Sequence, residues 1–176
     1  MPDTKDWTWV LQRPCPDCGF DASTLDRGAV ATALRAANFR LIALLDDPLA
    51  RERPAAEVWS AVEYGCHVRD VHRLFRYRLG LMLDEDDPLF ANWDQDETAA
   101  ESHYDEAVLD ELVGDLAADG ERLAEAFAAV RDDQWSRTGR RSDGAVFTVE
   151  SFGRYLVHDP VHHVWDVEQG YAALRA

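Results

Sequence analysis

Four long stretches of the sequence place apolar residues at the spacing of an α-helix, and this periodicity limits the fold more than any other feature. The stretches cover residues 24–46, 55–83, 106–130 and 149–174. In the first of them, Val30, Leu34, Ala37 and Leu41 recur every three or four residues, which is the period of one helix face. Four long helices in a chain of 176 residues predict an all-α fold and a four-helix bundle.

The segments between these stretches lack the helical period. Residues 84–104 are rich in Asp and Glu and predict a long acidic loop, of a length often found in functional lids. Residues 137–148 contain two glycines and predict a turn or short hairpin, after which Thr148 would cap the last helix.

The beginning of the chain has a different composition from the rest. Residues 1–23 carry three prolines and a Cys-Pro-Asp-Cys-Gly run, without a sustained period of either helix or strand. We interpret them as an ordered N-terminal extension. Residues 24–176 then form one bundle domain.

The balance of charges excludes several classes of partner. The chain has 34 Asp and Glu against 18 Lys and Arg, a formal charge of −16, which repels phosphate backbones and anionic headgroups. We expect no nucleic-acid and no membrane partner, and instead a small-molecule substrate. The start shows no signal-like apolar region and the odd count of three cysteines is typical of a reducing compartment, so we predict a cytoplasmic protein.

Three of the six histidines fall within residues 158–163. His158 and His162 are four residues apart, about 40° round a helix, so both imidazoles can reach one metal ion. The alternative is a histidine pair that merely decorates a surface helix. Pro160 lies between the two and removes a backbone donor, which favours a kink there.

His67 lies on the second helical stretch, on the same face as Trp59, Leu74 and Tyr77. If that face points into the bundle, His67 would complete a three-histidine site that leaves one coordination position open, as catalytic metal sites do. The alternative is a core histidine whose partner is Glu63, one helical turn earlier.

The remaining candidates are neighbours of this predicted site. His163 lies about 100° round the helix from His162 and is the substitute ligand. Asp166, four residues after His162, would orient that imidazole from outside the ligand set, as Glu63 would if it lies near the metal. His72 and His103 are expected to be solvated.

The sequence resembles the DinB/YfiT-like superfamily over residues 24–174. The resemblance rests on His67 within the run from Glu63 to His72 and on the histidine cluster of the last helix, where one extra residue places His162, rather than His163, four positions after His158. It implies a four-helix bundle, often a homodimer, and a divalent metal held by His67, His158 and His162. We expect Zn²⁺, with Ni, Mn and Fe as alternatives.

The resemblance also implies a chemistry. Characterised branches join a low-molecular-weight thiol, bacillithiol or mycothiol, to an acceptor, or use it in isomerisation. The segment from Arg13 to Phe20 resembles one in actinobacterial members, where mycothiol is the expected co-substrate. The leading hypothesis is a metal-dependent thiol S-transferase or isomerase. The alternatives are a metal-dependent hydrolase and a non-enzymatic bundle that binds metal or a small ligand as a sensor or stress module.

Cys15 and Cys18 form a pair of their own. Cys-x-x-Cys-Gly is half of a zinc knuckle, but it is also compatible with a redox dithiol or with reduced structural thiols. A metal site there would need Cys66, a histidine or a second chain to complete it. Cys66 itself is predicted to be a small core residue.

Overall fold

Helices dominate the part of the chain described by the computed structural model, residues 7–176. The α-helices are α1 Val30–Leu44, α2 Ala61–Asp84, α3 Gln95–Glu101, α4 Leu109–Ala128 and α5 Val149–Leu174. Short 3-10 turns cover Trp7–Leu11, Ala22–Thr24, Arg27–Ala29 and Tyr104–Glu106. The four long helices correspond to the four periodic stretches of the sequence.

The extension ends in two capped turns, and α1 therefore begins at Val30 rather than at residue 24. The Asp21 carboxylate accepts a hydrogen bond from the backbone N–H of Ser23, and Asp26 accepts one from Gly28. Each aspartate satisfies amide groups that a longer helix would have satisfied internally.

A capping box starts α2 at Ala61. The Ser60 hydroxyl accepts a hydrogen bond from the Glu63 backbone, and the Glu63 carboxylate accepts one from the Ser60 backbone N–H. Arg53 also donates to this carboxylate, which is almost fully buried. Ser60-x-x-Glu63 is a start signal readable in the sequence, and it places the start six residues after residue 55.

The bundle has consecutive helices on its diagonals. Helix α1 packs mainly against α4 and α5, and α2 packs against the same two helices, while α1 and α2 touch little. The predicted four-helix bundle is thus present. Around the bundle axis the helices follow one another in the order α1, α4, α2 and α5.

A small sheet makes the strict all-α prediction wrong. Strands β2 Thr138–Arg141 and β3 Val146–Thr148 form the expected antiparallel hairpin, and Thr148 caps α5 as predicted. Strand β1, Leu89–Phe90, adds a parallel partner to β2, with Arg140 N–H donating to Pro88 and Ser142 N–H to Phe90. Residues 84–104, predicted as a loop, therefore contain β1 and α3.

Two apolar clusters fill the bundle, one towards each end, with polar side chains between them. Leu34 and Leu123 belong to one cluster, and Leu41 and Leu116 to the other. At the level between them lie the buried polar residues Asn38, His67, His72, His158 and His162. The candidate chemistry of the protein is concentrated at this level.

The face that α2 turns inward differs from the predicted one. Tyr77 is 63% exposed, whereas His72, predicted to be solvated, is fully buried. His67 is buried as predicted, and Cys66 is a buried core residue. In the described part of the chain no helix is long and apolar enough to cross a membrane.

Candidate metal centre

His67 of α2 meets Asp159 and His163 of α5 at the polar level of the bundle. The Nε2 atom of His67 lies 3.3 Å from Oδ2 of Asp159, and Nε2 of His163 lies 3.7 Å from the same oxygen. One potential ligand atom from each residue lies within 4.8 Å of the other two. Asp159 and His163 are four residues apart, so they share one face of α5.

The donor set and its hydrogen bonding fit a divalent cation. Two imidazoles and one carboxylate form a common ligand set for Zn²⁺ and for Fe²⁺. Nδ1 of His67 and Oδ1 of Asp159 are buried and have no hydrogen-bond partner among the described residues. Buried polar atoms are rarely left without a partner, so the hydrogen bonding of both side chains is incomplete without a ligand or water.

Charges in the cluster favour the ionised form of Asp159. Burial alone would raise the pKa of this carboxyl, but His67 and His163 outweigh it and hold the pKa well below its usual range. Burial alone would lower the pKa of the His163 imidazole, but the carboxylates of Asp159 and Asp166 outweigh it and hold this pKa above its usual value. The cluster thus holds an anionic carboxylate between two imidazoles.

Asp166 fixes the orientation of His163. Its Oδ2 lies 2.8 Å from Nδ1 of His163, so Nδ1 carries the proton and Nε2 faces Asp159. This is the carboxylate–histidine arrangement that usually supports metal-ligating imidazoles. Asp166 was predicted to orient His162, but its nearest approach to that ring is 3.8 Å, to Nε2.

Aromatic side chains surround His67. The indole of Trp93 stacks on the imidazole with 5.4 Å between ring centroids and 16° between planes, and Trp59 lies 5.6 Å away on a tilted plane. Tyr64 packs on His163 at 5.0 Å. Both tryptophans are half-buried. Trp93 comes from the segment predicted as a lid, so that segment does contribute a wall to the cluster.

The three histidines predicted as one ligand set are divided between two groups. His67 lies with Asp159 and His163, whereas His158 and His162 lie with Cys15 and Cys18. Helix α5 continues through Pro160 and presents these two sets on adjoining faces. His158 and His162 share a face, as their spacing predicts, but that face is turned to the N-terminal extension.

Sequence reasoning missed Asp159 as a member of the cluster. Its spacing of four to His163 was the available signal, since a carboxylate can replace an imidazole in a metal site. Glu63, considered as a partner of His67, instead pairs with Arg53 and Ser60. The carboxylate that contacts His67 is Asp159.

The fold and the cluster define a helical-bundle protein with a histidine–carboxylate centre between α2 and α5. The DinB superfamily profile matches residues 31–167, and the chain belongs to that superfamily. No curated protein matches the chain. Among solved structures it is similar to YfiT from Bacillus subtilis, with 18% identity, a TM-score of 0.76 and coverage of 85% of this chain and 87% of that one. YfiT is described as a probable metal-dependent hydrolase with an unusual four-helix bundle topology.

Proposed function

We propose that the protein is a divalent-metal-dependent enzyme whose ion is held by His67, Asp159 and His163. The observation that carries this proposal is that one ligand atom of each residue lies within 4.8 Å of the other two, at a place where His67 and Asp159 each also keep a buried polar atom without a hydrogen-bond partner among the described residues. When bound, a divalent ion supplies Lewis acidity, which lowers the pKa of a water or thiol that occupies an open position.

Other residues of the cluster orient a ligand and shape the surroundings of His67. Asp166 holds the proton on Nδ1 of His163 and keeps Nε2 directed into the cluster. Trp59 and Trp93 both pack against the imidazole of His67, where they exclude water and offer flat apolar surfaces to a substrate. We infer that the substrate has an apolar or aromatic part.

For the nucleophile we propose a low-molecular-weight thiol of the mycothiol type, so the reaction would be S-transfer to an electrophile or a thiol-dependent isomerisation. Its support is the resemblance of the Cys15–Cys18 segment to actinobacterial family members. Water is the second candidate, which would make the protein a hydrolase. The similarity to YfiT favours water, because YfiT is described as a probable metal-dependent hydrolase.

Metal content tests the site before any substrate is known. Tag-free protein, purified without metal-affinity resin, is analysed for each metal per chain. The Asp159→Asn and His163→Ala variants are expected to lose one equivalent while the helical circular dichroism is kept. His103→Asn is the matched control, because His103 is exposed and has a positive φ of 48° that asparagine tolerates. Equal metal content in all four proteins would refute the site.

Activity then separates the two nucleophiles. Metal-loaded protein is incubated with mycothiol and 1-chloro-2,4-dinitrobenzene in one assay, and with p-nitrophenyl acetate without thiol in another. Thiol-dependent product formation that disappears in Asp159→Asn supports S-transfer, and thiol-independent hydrolysis that disappears in the same variant supports the hydrolase. Rates in both assays that Asp159→Asn leaves unchanged would refute the assignment of the reaction to this cluster.

A further inference from the structure

A second group of ligand atoms lies on the face of α5 next to the one that meets His67. It consists of Cys15, Cys18, His158 and His162, one ligand atom of each lying within 4.8 Å of the others. Cys15, His158 and His162 are buried and Cys18 is half-buried. None of the four belongs to the proposed catalytic cluster.

The backbone of the extension forms a knuckle around the two thiols. The Gly19 N–H donates to the Cys15 carbonyl at 3.0 Å, and the Cys15 N–H donates to the Phe20 carbonyl at 2.8 Å. Gly19 has a φ of +74°, a left-handed conformation that glycine adopts without strain. This tight turn brings both thiols to one side, with their sulfur atoms within 4.8 Å of each other.

The distances agree with tetrahedral coordination. Zn–S bonds of about 2.3 Å and Zn–N bonds of about 2.0 Å at the tetrahedral angle separate a sulfur and a nitrogen ligand by about 3.5 Å. Sγ of Cys15 and Nδ1 of His162 lie 3.5 Å apart. The spacing of four between His158 and His162 places their imidazoles side by side, with 5.0 Å between ring centroids.

An independent observation indicates that a ligand belongs here. Nε2 of His158 is buried and has no hydrogen-bond partner among the described residues, and the residue is only 5% exposed. Trp7 and Phe20 pack on its ring at 5.7 Å. Trp7 also packs on the ring of His162 at 5.4 Å, so aromatic groups cover both histidines of the cluster.

We propose that Cys15, Cys18, His158 and His162 form a closed structural zinc site, which fastens the N-terminal extension to α5. Four protein ligands fill the tetrahedral positions, as in structural zinc sites. The two thiols lose their protons to solvent on binding, and the two thiolates neutralise the charge of Zn²⁺, so the buried site carries no net charge. The proposal is independent of the proposed enzymatic function, which uses other residues.

Zinc X-ray absorption tests the proposal on the whole chain. Reduced, zinc-loaded wild-type protein is expected to show a zinc population with two sulfur ligands near 2.3 Å and two nitrogen ligands near 2.0 Å. Absence of sulfur from every bound zinc, or failure of the reduced protein to bind zinc at all, would overturn it. This measurement needs no variant, so it does not depend on how a variant folds.

Variants then assign the sulfur ligands. In Cys18→Ser the sulfur count is expected to fall below two, and the thiolate-to-metal charge-transfer absorption of the Co²⁺-substituted protein is expected to weaken. Cys66→Ser is the matched control, since Cys66 is a buried cysteine packed near Tyr104. Loss of the signal in Cys66→Ser, or two sulfur ligands retained in Cys18→Ser, would overturn the assignment.

The two metal sites can be told apart. Asp159→Asn is expected to remove one equivalent of metal and to leave the sulfur-coordinated zinc intact. Cys18→Ser is expected to do the opposite. If only the sulfur-coordinated zinc is found in the wild type, the structural site stands and the catalytic proposal fails.

Discussion

Gly120 tests how tightly the polar level of the bundle is packed. It lies on α4, facing α1 and α2. A Cβ atom at this position would lie 2.5 Å from Nδ2 of Asn38 and 3.2 Å from Cε1 of His72. Gly114 on the same helix is exposed and has no atom within 4 Å of such a Cβ. Comparing alanine substitutions at the two positions therefore separates the effect of helix propensity on stability from the effect of packing.

The magnitude follows from two opposing effects. Alanine is about 1 kcal/mol better than glycine inside a helix, so Gly114→Ala should raise the free energy of unfolding by about that amount. In Gly120→Ala the same gain is opposed by overpacking, about 1–3 kcal/mol. Asn38 must also move, although its amide donates to the Leu116 carbonyl at 2.9 Å, and a buried polar group left unpaired costs about 1–3 kcal/mol. These values sum to a net loss of about 1–5 kcal/mol, with about 3 kcal/mol as the central expectation.

Thermal unfolding followed by circular dichroism measures this difference at one fixed zinc concentration, since bound metal also stabilises the fold. For a chain of this size, 1 kcal/mol corresponds to about 2–4 °C in Tm. Gly120→Ala should therefore melt about 6–12 °C below the wild type, and Gly114→Ala about 2–4 °C above it. A Gly120→Ala protein as stable as Gly114→Ala would refute the close packing of α4 against Asn38.

Three further predictions concern pH, metal affinity and helix capping. Burial is the main cause that lowers the pKa of His72 from 6.5 to about 4, so on acidification this imidazole binds a proton in the unfolded chain before it does in the folded one. His72 should therefore lower the free energy of unfolding, measured in urea, by about 3 kcal/mol between pH 6.5 and pH 4. The fall should be smaller in His72→Leu. Asp166→Asn should weaken metal binding at the His163 cluster about 10- to 100-fold in a competition titration with a chelating dye, and unchanged affinity would contradict the role of the carboxylate. Ser60→Ala removes the cap of α2 and should reduce the urea midpoint, corresponding to about 1 kcal/mol; an unchanged midpoint would show that Glu63 and Arg53 hold this helix end without the hydroxyl.

The helices of the bundle were predictable because their signal is local. Apolar residues recur at the helical period in α1, α4 and α5, and Thr148 supplies a cap in the sequence itself. The inward face of α2 was not predictable in the same way, because His72 and Arg78 are buried there and Tyr77 is exposed. Polar residues at core positions conceal the period on which the prediction depends.

The candidate metal centre shows the same division between local and tertiary information. Helix geometry correctly separates His162 from His163 by about 100°. It does not determine which of the two faces α2, since that depends on how α5 is rotated against its neighbours. In the structure the face with Asp159 and His163 meets His67, and the face with His158 meets the extension. Only the packing of four helices contains that information.

Strand β1 fixes the position of the tryptophan beside His67. It attaches the segment that carries Trp93 to the hairpin through two backbone hydrogen bonds, and Asn92 adds a third, to the Ser142 hydroxyl at 2.8 Å. Phe90 of the same strand is only 4% exposed and packs in one of the apolar clusters, and Arg78 donates a hydrogen bond to the Ala91 carbonyl at 2.7 Å. Moving Trp93 away from His67 would therefore break these contacts together. The wall beside the cluster can open only if part of the bundle core opens with it.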